Sequence, residues 1–253
     1  MTHGGIDGFS RLITYLGCAT SNDSGTVLRL FVTAATAHGL PSRVRSDHGY
    51  ENLHVAFLMN IVRGARRGSH ITGESVHNQR IERLWKDVHK EVTGPFYTQF
   101  YALEDAGLLS PDNALHRFVL QQVFLKEIND GLQTFRLAWN HHRLRSEANR
   151  TPEKIWLDGM LAQQNSSHTS TNEVFAETDS VLHRLRQGLE EYGVDSNDNV
   201  ESISRDENSI SSPLLTSEQS LVLNAALAGT YTTLTEKFSS CLDALLAHSN
   251  DDQ

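Results

Sequence analysis

The chain has 253 residues, 38% of them hydrophobic, and a formal net charge of −9; that length holds one sizeable domain plus an appendage. Two distant cysteines, Cys18 and Cys241, exclude a disulfide-stapled secreted scaffold, and no apolar run nears the roughly 20 residues of a membrane span. The charge is uneven: residues 1–160 carry 18 Lys and Arg against 16 Asp and Glu, and residues 161–253 carry 4 against 15, so the total does not exclude a nucleic-acid partner for the Arg-rich first part.

The opening MTHGGIDG has no charged-then-apolar pattern, which predicts an intracellular protein, nuclear or cytoplasmic. HGGID, GFS and RLITYLGCA read as a β-hairpin with Asp7-Gly8 as the turn. Ser24 is a candidate cap for a helix in which Val27, Leu28, Phe31, Ala34, Ala35 and His38 recur at helical spacing, and Gly39 and Pro41 stop it. PSRVRSD then reads as a short strand, completing a βαβ-like unit. Such crossovers carry functional groups at the carboxyl ends of their strands, where Asp47 falls. Residues 51–62 suit a short helix, and the glycine-rich, basic GARRGSHITGE suits a loop. From Ser75 a helix is predicted with Ile81, Leu84, Trp85, Val88 and Val92 on one face, ended by Gly94-Pro95. Further helix follows through FYTQFYALEDAG and NALHRFVLQQVFLKEINDGLQTFRLAWNHH, and Thr151-Pro152 starts a last one. Residues 1–160 thus make one domain and 161–253 an acidic tail. The tail's Ser/Asn/Asp-rich stretch predicts disorder, with amphipathic helices at 214–248.

Taken alone, Asp47 is either a turn residue or a carboxylate held for metal chemistry. Asn78, Glu82, Lys86 and Lys90 recur every fourth residue, as a solvated stripe or as one functional face. Joined, Asp47 at a strand end and Glu82 on a helix could hold a hard divalent cation, Mg²⁺ first, for phosphodiester displacement, with Lys86 and Lys90 meeting phosphates. Arg63, Arg66 and Arg67 are either a solvated basic loop or a steering patch for a phosphate backbone. Tyr50 is expected to pack. His48, His70, His77 and His89 match no zinc spacing and read as surface or loop residues.

RSDHGYEN (45–52) resembles the second acidic motif of the retroviral-type integrase and transposase catalytic core. HNQRIERLWKDV (77–88) resembles the helix bearing that family's glutamate, HGGIDGFSRLITYL its second and third strands, and WNHHRLRSEANRTPEKIW (139–156) its closing segment. The resemblance, closest to integrase-core proteins of eukaryotic transposon origin, implies an α/β, ribonuclease-H-like fold: a mixed sheet flanked by helices. It implies Mg²⁺ or Mn²⁺, DNA as partner, a homodimer, and strand transfer by three carboxylates. Asp47 would be the second acid and Glu82 the third, both as metal ligands, with Asn78, Lys86, Lys90, Arg66 and Arg67 towards nucleic acid. The first acid is expected on a strand upstream of Met1, since Asp7 matches the family's turn aspartate. The sheet is therefore expected to lack its first strand, and this chain by itself is not expected to transfer strands. The alternative is a domesticated, non-catalytic interaction scaffold whose acidic tail docks a basic protein partner. The tail is also expected to compete with DNA, so that removing residues 162–253 tightens DNA binding.

Overall fold

The computed structural model describes residues 1–73, 78–163 and 215–248, with the isolated positions 183 and 187. Ser75 and His77, and the polar stretches expected to be disordered, lie outside the described residues. The chain divides into two compact units, Met1–Asp87 with Gln133–Asp206, and Val88–Leu132 with Glu207–Gln253.

The first unit is mixed α/β. Strands β1 (Thr2–Ile6) and β2 (Ile13–Cys18) form the antiparallel hairpin, with a register shift between Gly5 and Ile6. The Asp7 carboxylate accepts from the amides of Phe9 (3.2 Å) and Ser10 (2.7 Å) and from the Ser10 hydroxyl (2.7 Å), which closes the turn locally. The left-handed position falls on Arg11 (φ 67°) and not on Gly8. Such a conformation costs a non-glycine residue about 1–2 kcal/mol. Contacts on both sides of Arg11 offset it: its guanidinium reaches Glu147 (3.0 Å) and Ser146 (3.1 Å), and its carbonyl accepts from the Trp139 indole (2.9 Å).

Helix α1 (Ser24–His38) is capped by Asp23, one residue before the expected Ser24, and its carboxylate accepts from the Thr26 amide (2.8 Å) and hydroxyl (3.0 Å). Burial alone would raise the Asp23 carboxyl. The hydrogen bonds from Ser21 and Thr26 outweigh it and hold the group down to about 2. Asp23→Ala is therefore expected to cost about 1 kcal/mol at pH 7. Because the folded pKa lies below the ordinary value, that difference persists above about pH 4 and fades as pH falls towards 2. Urea unfolding of both proteins across that range measures it, and a difference that stays constant down to pH 2 would refute the cap.

Strand β3 (Val44–Ser46) follows α1, and helix α2 (Leu53–Arg63) follows a single 3₁₀ turn at Tyr50–Asn52. A further strand, β4 (His70–Thr72), pairs in parallel with β3, Val44 opposite His70 and Ser46 opposite Thr72. This segment was expected to be loop. Three residues between glycines are too few to show alternation, and only the long-range partner makes them a strand. The core beneath gathers Val27, Leu28, Phe31, Val32 and Ala35 of α1 with Leu40 and with Val55, Leu58 and Met59 of α2. The expected single mixed sheet is not what forms among the described residues. There are two separate two-stranded ladders, β1–β2 and β3–β4.

Helix α3 (Gln79–Val88) buries Leu84 and Val88. Gly94-Pro95, expected to stop it, does not. A π turn at His89–Thr93 carries the chain into α4 (Gly94–Asp105), with Pro95 in its first turn. Gly94 is required there, since a Cβ would meet the His89 carbonyl oxygen at 2.6 Å. Helix α5 (Ala114–His141) has its first residues in the second unit and its last turns, from Gln133, in the first. Within the first unit the Asn140 amide brackets Ile13, accepting from its N–H (2.8 Å) and donating to its carbonyl (3.0 Å). Helix α6 (Pro152–Ala162) starts at Thr151-Pro152 as expected, with the Thr151 hydroxyl accepting from the Lys154 amide.

The second unit is helical. Helices α7 (Ser217–Leu227) and α8 (Leu234–Ala247) are each capped by a threonine, Thr216 in a full capping box with Gln219. Leu223, Phe238, Cys241, Leu242 and Leu245 from this pair share one core with Leu103 of α4, Leu109, and Val119, Val123 and Phe124 of α5.

Candidate functional site

A cleft of about 960 Å³ opens in the first unit. Its walls are Met1 and the strand β1, Arg43 and the strand β3, and Phe31, Ala34 and His38 of α1. Ile81 and Trp85 of α3 and Trp156 of α6 complete them. Four carboxylates line it: Asp7, Asp47, Glu51 and Glu82.

Asp47 stands one residue beyond β3. Its Oδ1 accepts from the Asn52 amide group (2.9 Å) and the Gly49 N–H (3.4 Å), so the 3₁₀ turn that follows orients it. Glu82 lies in the first turn of α3, with its amide bonded to the Asn78 carbonyl (3.1 Å). Asn78 also lines the cleft. Three of the sequence-predicted residues, Asp47, Asn78 and Glu82, therefore share one cavity.

The basic residues divide differently. Arg66 and Arg67 sit in the exposed 3₁₀ turn Ala65–Arg67, where Arg67 donates to Ser42 (3.0 Å), and Lys86 is exposed on α3. None of the three is on the cleft lining. Lys90 belongs to the π turn of the second unit and pairs with Glu91 at 2.7 Å. Arg63 fits neither sequence reading: it is buried at the end of α2 and donates to the carbonyls of Leu40 and Pro41. Those carbonyls follow the end of α1 and would otherwise lack a donor, so this arginine is structural. Tyr50, expected to pack, is 89% exposed, because the 3₁₀ turn directs its ring outwards.

Glu51 was missed by sequence reasoning, although its place four residues after Asp47 was a usable signal once the turn was foreseen. Among the described residues the histidines do not converge. His48 is exposed, His70 contacts the Ser46 hydroxyl (3.2 Å), and His89 contacts Thr93 (3.3 Å). Burial pushes His70 below its ordinary value. Burial and then the Arg136 guanidinium do the same to His38, whose ring meets Trp156 edge-on at 5.7 Å. Both rings are thereby kept neutral near pH 7; of the two only His38 lines the cleft, where Arg43, Arg45 and Arg80 stand with the four carboxylates.

Asp47 and Glu82 offer hard carboxylate oxygens of the kind Mg²⁺ and Mn²⁺ prefer. Two such groups suit a single cation completed by water. Among the described residues no cluster of three or more His, Cys, Asp or Glu side chains is placed to hold a metal. No helix among them is long and apolar enough to cross a membrane.

The integrase core domain family matches residues 1–170. Comparisons with curated proteins and with solved structures returned no match.

Proposed function

The chain belongs to the integrase core domain family, and we propose that it is a DNA-binding protein of integrase and transposase type whose cleft in the first unit is the metal and phosphate site. The observation that carries the reading is the sharing of one cleft by Asp47, from the end of β3, and Glu82, from α3. A ribonuclease-H-like fold is implied by the family, and the mixed α/β organisation of this unit supports it. Asp47 and Glu82 would hold Mg²⁺ or Mn²⁺, which when bound supplies Lewis-acid polarisation of a phosphoryl oxygen. The protein's own part is to fix Asp47 through Asn52 and Gly49, and to present Asn78 near the bound backbone. Within this unit Arg66, Arg67 and Lys86 would supply sequence-independent phosphate contacts. By the same family relation we propose a homodimer, with the acidic segment 161–253 offered to a basic partner.

The test has two readouts. Asp47→Asn should weaken Mn²⁺ binding, followed by isothermal titration, by more than the roughly 10–100-fold typical of losing an outer-shell partner. Arg66→Ser with Arg67→Ser should reduce the salt slope of duplex-DNA binding, read by fluorescence anisotropy, by up to about 2. Wild-type affinity for Mn²⁺ in the Asp47 variant would remove the metal site. An unchanged salt slope would remove the basic turn from the DNA interface, and no DNA binding at all would favour the scaffold reading.

A further inference from the structure

The second unit has a groove of its own, about 240 Å³ in volume, between the later turns of α4 and the start of α5. Tyr97, Phe100, Tyr101 and Glu104 fall at i, i+3, i+4 and i+7 of α4 and share one face, and Arg117 and Leu120 line the groove from α5. The Phe100 ring stands edge-on against the buried Phe124 at 5.0 Å, which fixes the floor. Tyr97 and Tyr101 remain 56% and 58% exposed, with ring centroids 5.7 Å apart and planes tilted by 52°. His89 meets Tyr97 edge-on at 6.0 Å.

The rim is pinned as well. The Ser110 amide donates to His116 Nδ1 (3.1 Å), and the Asn113 side chain accepts from the Leu115 amide (2.8 Å). The Arg117 guanidinium donates to the Pro111 carbonyl (2.6 Å). Two exposed rings over a fixed floor therefore form a notch that is built before anything binds, which lowers the ordering cost of a ligand.

The chemistry of the lining selects the occupant. The groove is smaller than the roughly 300 Å³ of a small-molecule pocket, and it does not take the i, i+3, i+4 and i+7 anchors of a docked helix. It offers aromatic faces and hydrogen-bond donors, namely two phenol hydroxyls and the N–H groups of Arg117. A polyproline II segment is their complement: it has no internal hydrogen bonds, its carbonyls are free to accept, and its prolyl rings bring no N–H that needs an acceptor. Charge narrows the choice further. Glu104 lines the groove, and the exposed Asp105 and Asp112 adjoin the lining residues Glu104 and Pro111, so acid outweighs the single charge of Arg117. A lysine or arginine beside the prolines is drawn to that rim, and a phosphate backbone is not.

We propose that this groove docks a proline-rich segment of another protein, of the form Pro-x-x-Pro flanked by a Lys or Arg, with prolyl rings on Tyr97 and Tyr101 and the cation towards Glu104. The proposal is independent of metal and DNA binding, and its test uses neither.

The probe is the fluorescein-labelled peptide Arg-Pro-Pro-Leu-Pro-Pro-Arg, which presents a cation at either end, titrated with the full chain and followed by fluorescence anisotropy. It should bind saturably. Tyr97→Ala and Tyr101→Ala should each weaken binding at least about tenfold, as loss of an interface hot spot does. Both should leave the melting temperature unchanged, because the rings are largely exposed. Tyr101→Phe should lose less than Tyr101→Ala, since it keeps the ring and gives up one donor. Glu104→Gln should weaken binding at low salt and matter little at high salt. A control peptide with alanine at every proline should not bind. Four results would overturn the proposal. The first is no saturable binding, whether or not a second copy or the chain's own segment fills the groove. The second is equal binding of the alanine peptide, and the third is undiminished binding by both tyrosine-to-alanine variants. The last is displacement of the probe by a proline-free trimethyllysine peptide that itself needs both tyrosines, which would assign the notch to a methylated cation.

Discussion

Phe238→Ala is expected to destabilise the helical unit by about 3–5 kcal/mol, the range for truncating a fully buried aromatic. Phe238 is 0% exposed and its ring lies 6.4 Å from that of Phe124, itself 1% exposed. Phe124 in turn meets Phe96 and Phe100 edge-on, at 6.4 and 5.0 Å. Removing Phe238 opens a cavity at the junction of α4, α5 and α8, and the remaining rings cannot collapse into it without leaving their own contacts. Leu221 on α7 is the matched control: at 72% exposed, its replacement by alanine should change stability by less than about 0.5 kcal/mol. Urea unfolding followed by far-UV circular dichroism compares the two. Near-equal effects would mean that α7 and α8 are not part of this core. The same packing alters the truncation expected to relieve competition with DNA. Deleting residues 162–253 would also strip α7 and α8 from the second unit and expose Val119, Val123 and Phe124. Charge-neutralising substitutions within the acidic segment test the competition without that cost.

Asn140→Ala is expected to cost about 2–4 kcal/mol, because it leaves both the N–H and the carbonyl of the fully buried Ile13 without partners, at roughly 1–3 kcal/mol per orphaned group. Asn140 is itself 9% exposed, so water has little access to replace it. Asn140→Asp separates the hydrogen bonds from the shape. A protonated aspartic acid can accept from Ile13 N–H and donate to its carbonyl, while the ionised form can only accept. Burial and the facing carbonyl both favour the protonated form, so the folded pKa of this variant is raised above the ordinary value near 3.9. Its stability relative to the native chain should be greatest at low pH and fall as pH rises through the folded pKa. Thermal unfolding of the two chains from pH 4 to pH 8 measures this. A pH-independent gap would show that Asn140 acts through packing alone.

Much of the first unit was legible because its elements carry local signals. The hairpin around Asp7, α1 with its apolar stripe, and the start at Thr151-Pro152 each follow from turn or capping chemistry within a few residues. Asp47 and Glu82 could be singled out for the same reason: one ends a strand, and the other sits early in a helix of clear periodicity. The errors fall where the deciding partner is distant. His70–Thr72 is a strand only because β3 lies beside it. Arg63 is structural only because Leu40 and Pro41 present their carbonyls to it. Gly94-Pro95 continues a helix because a π turn absorbs the extra residue, a choice propensity alone does not encode.

The sequence by itself determined the family, through the order of its motifs over the first two-thirds of the chain, and it singled out Asp47 and Glu82 as candidate acids. Tertiary structure decided that those acids share a cleft, since that depends on how a strand end and a helix pack. It also decided that His70–Thr72 joins Val44–Ser46 in a ladder, because pairing is settled by partners far apart in the chain. Burial decided the rest: the same arginine, phenylalanine or asparagine is a surface residue or a keystone according to what folds over it.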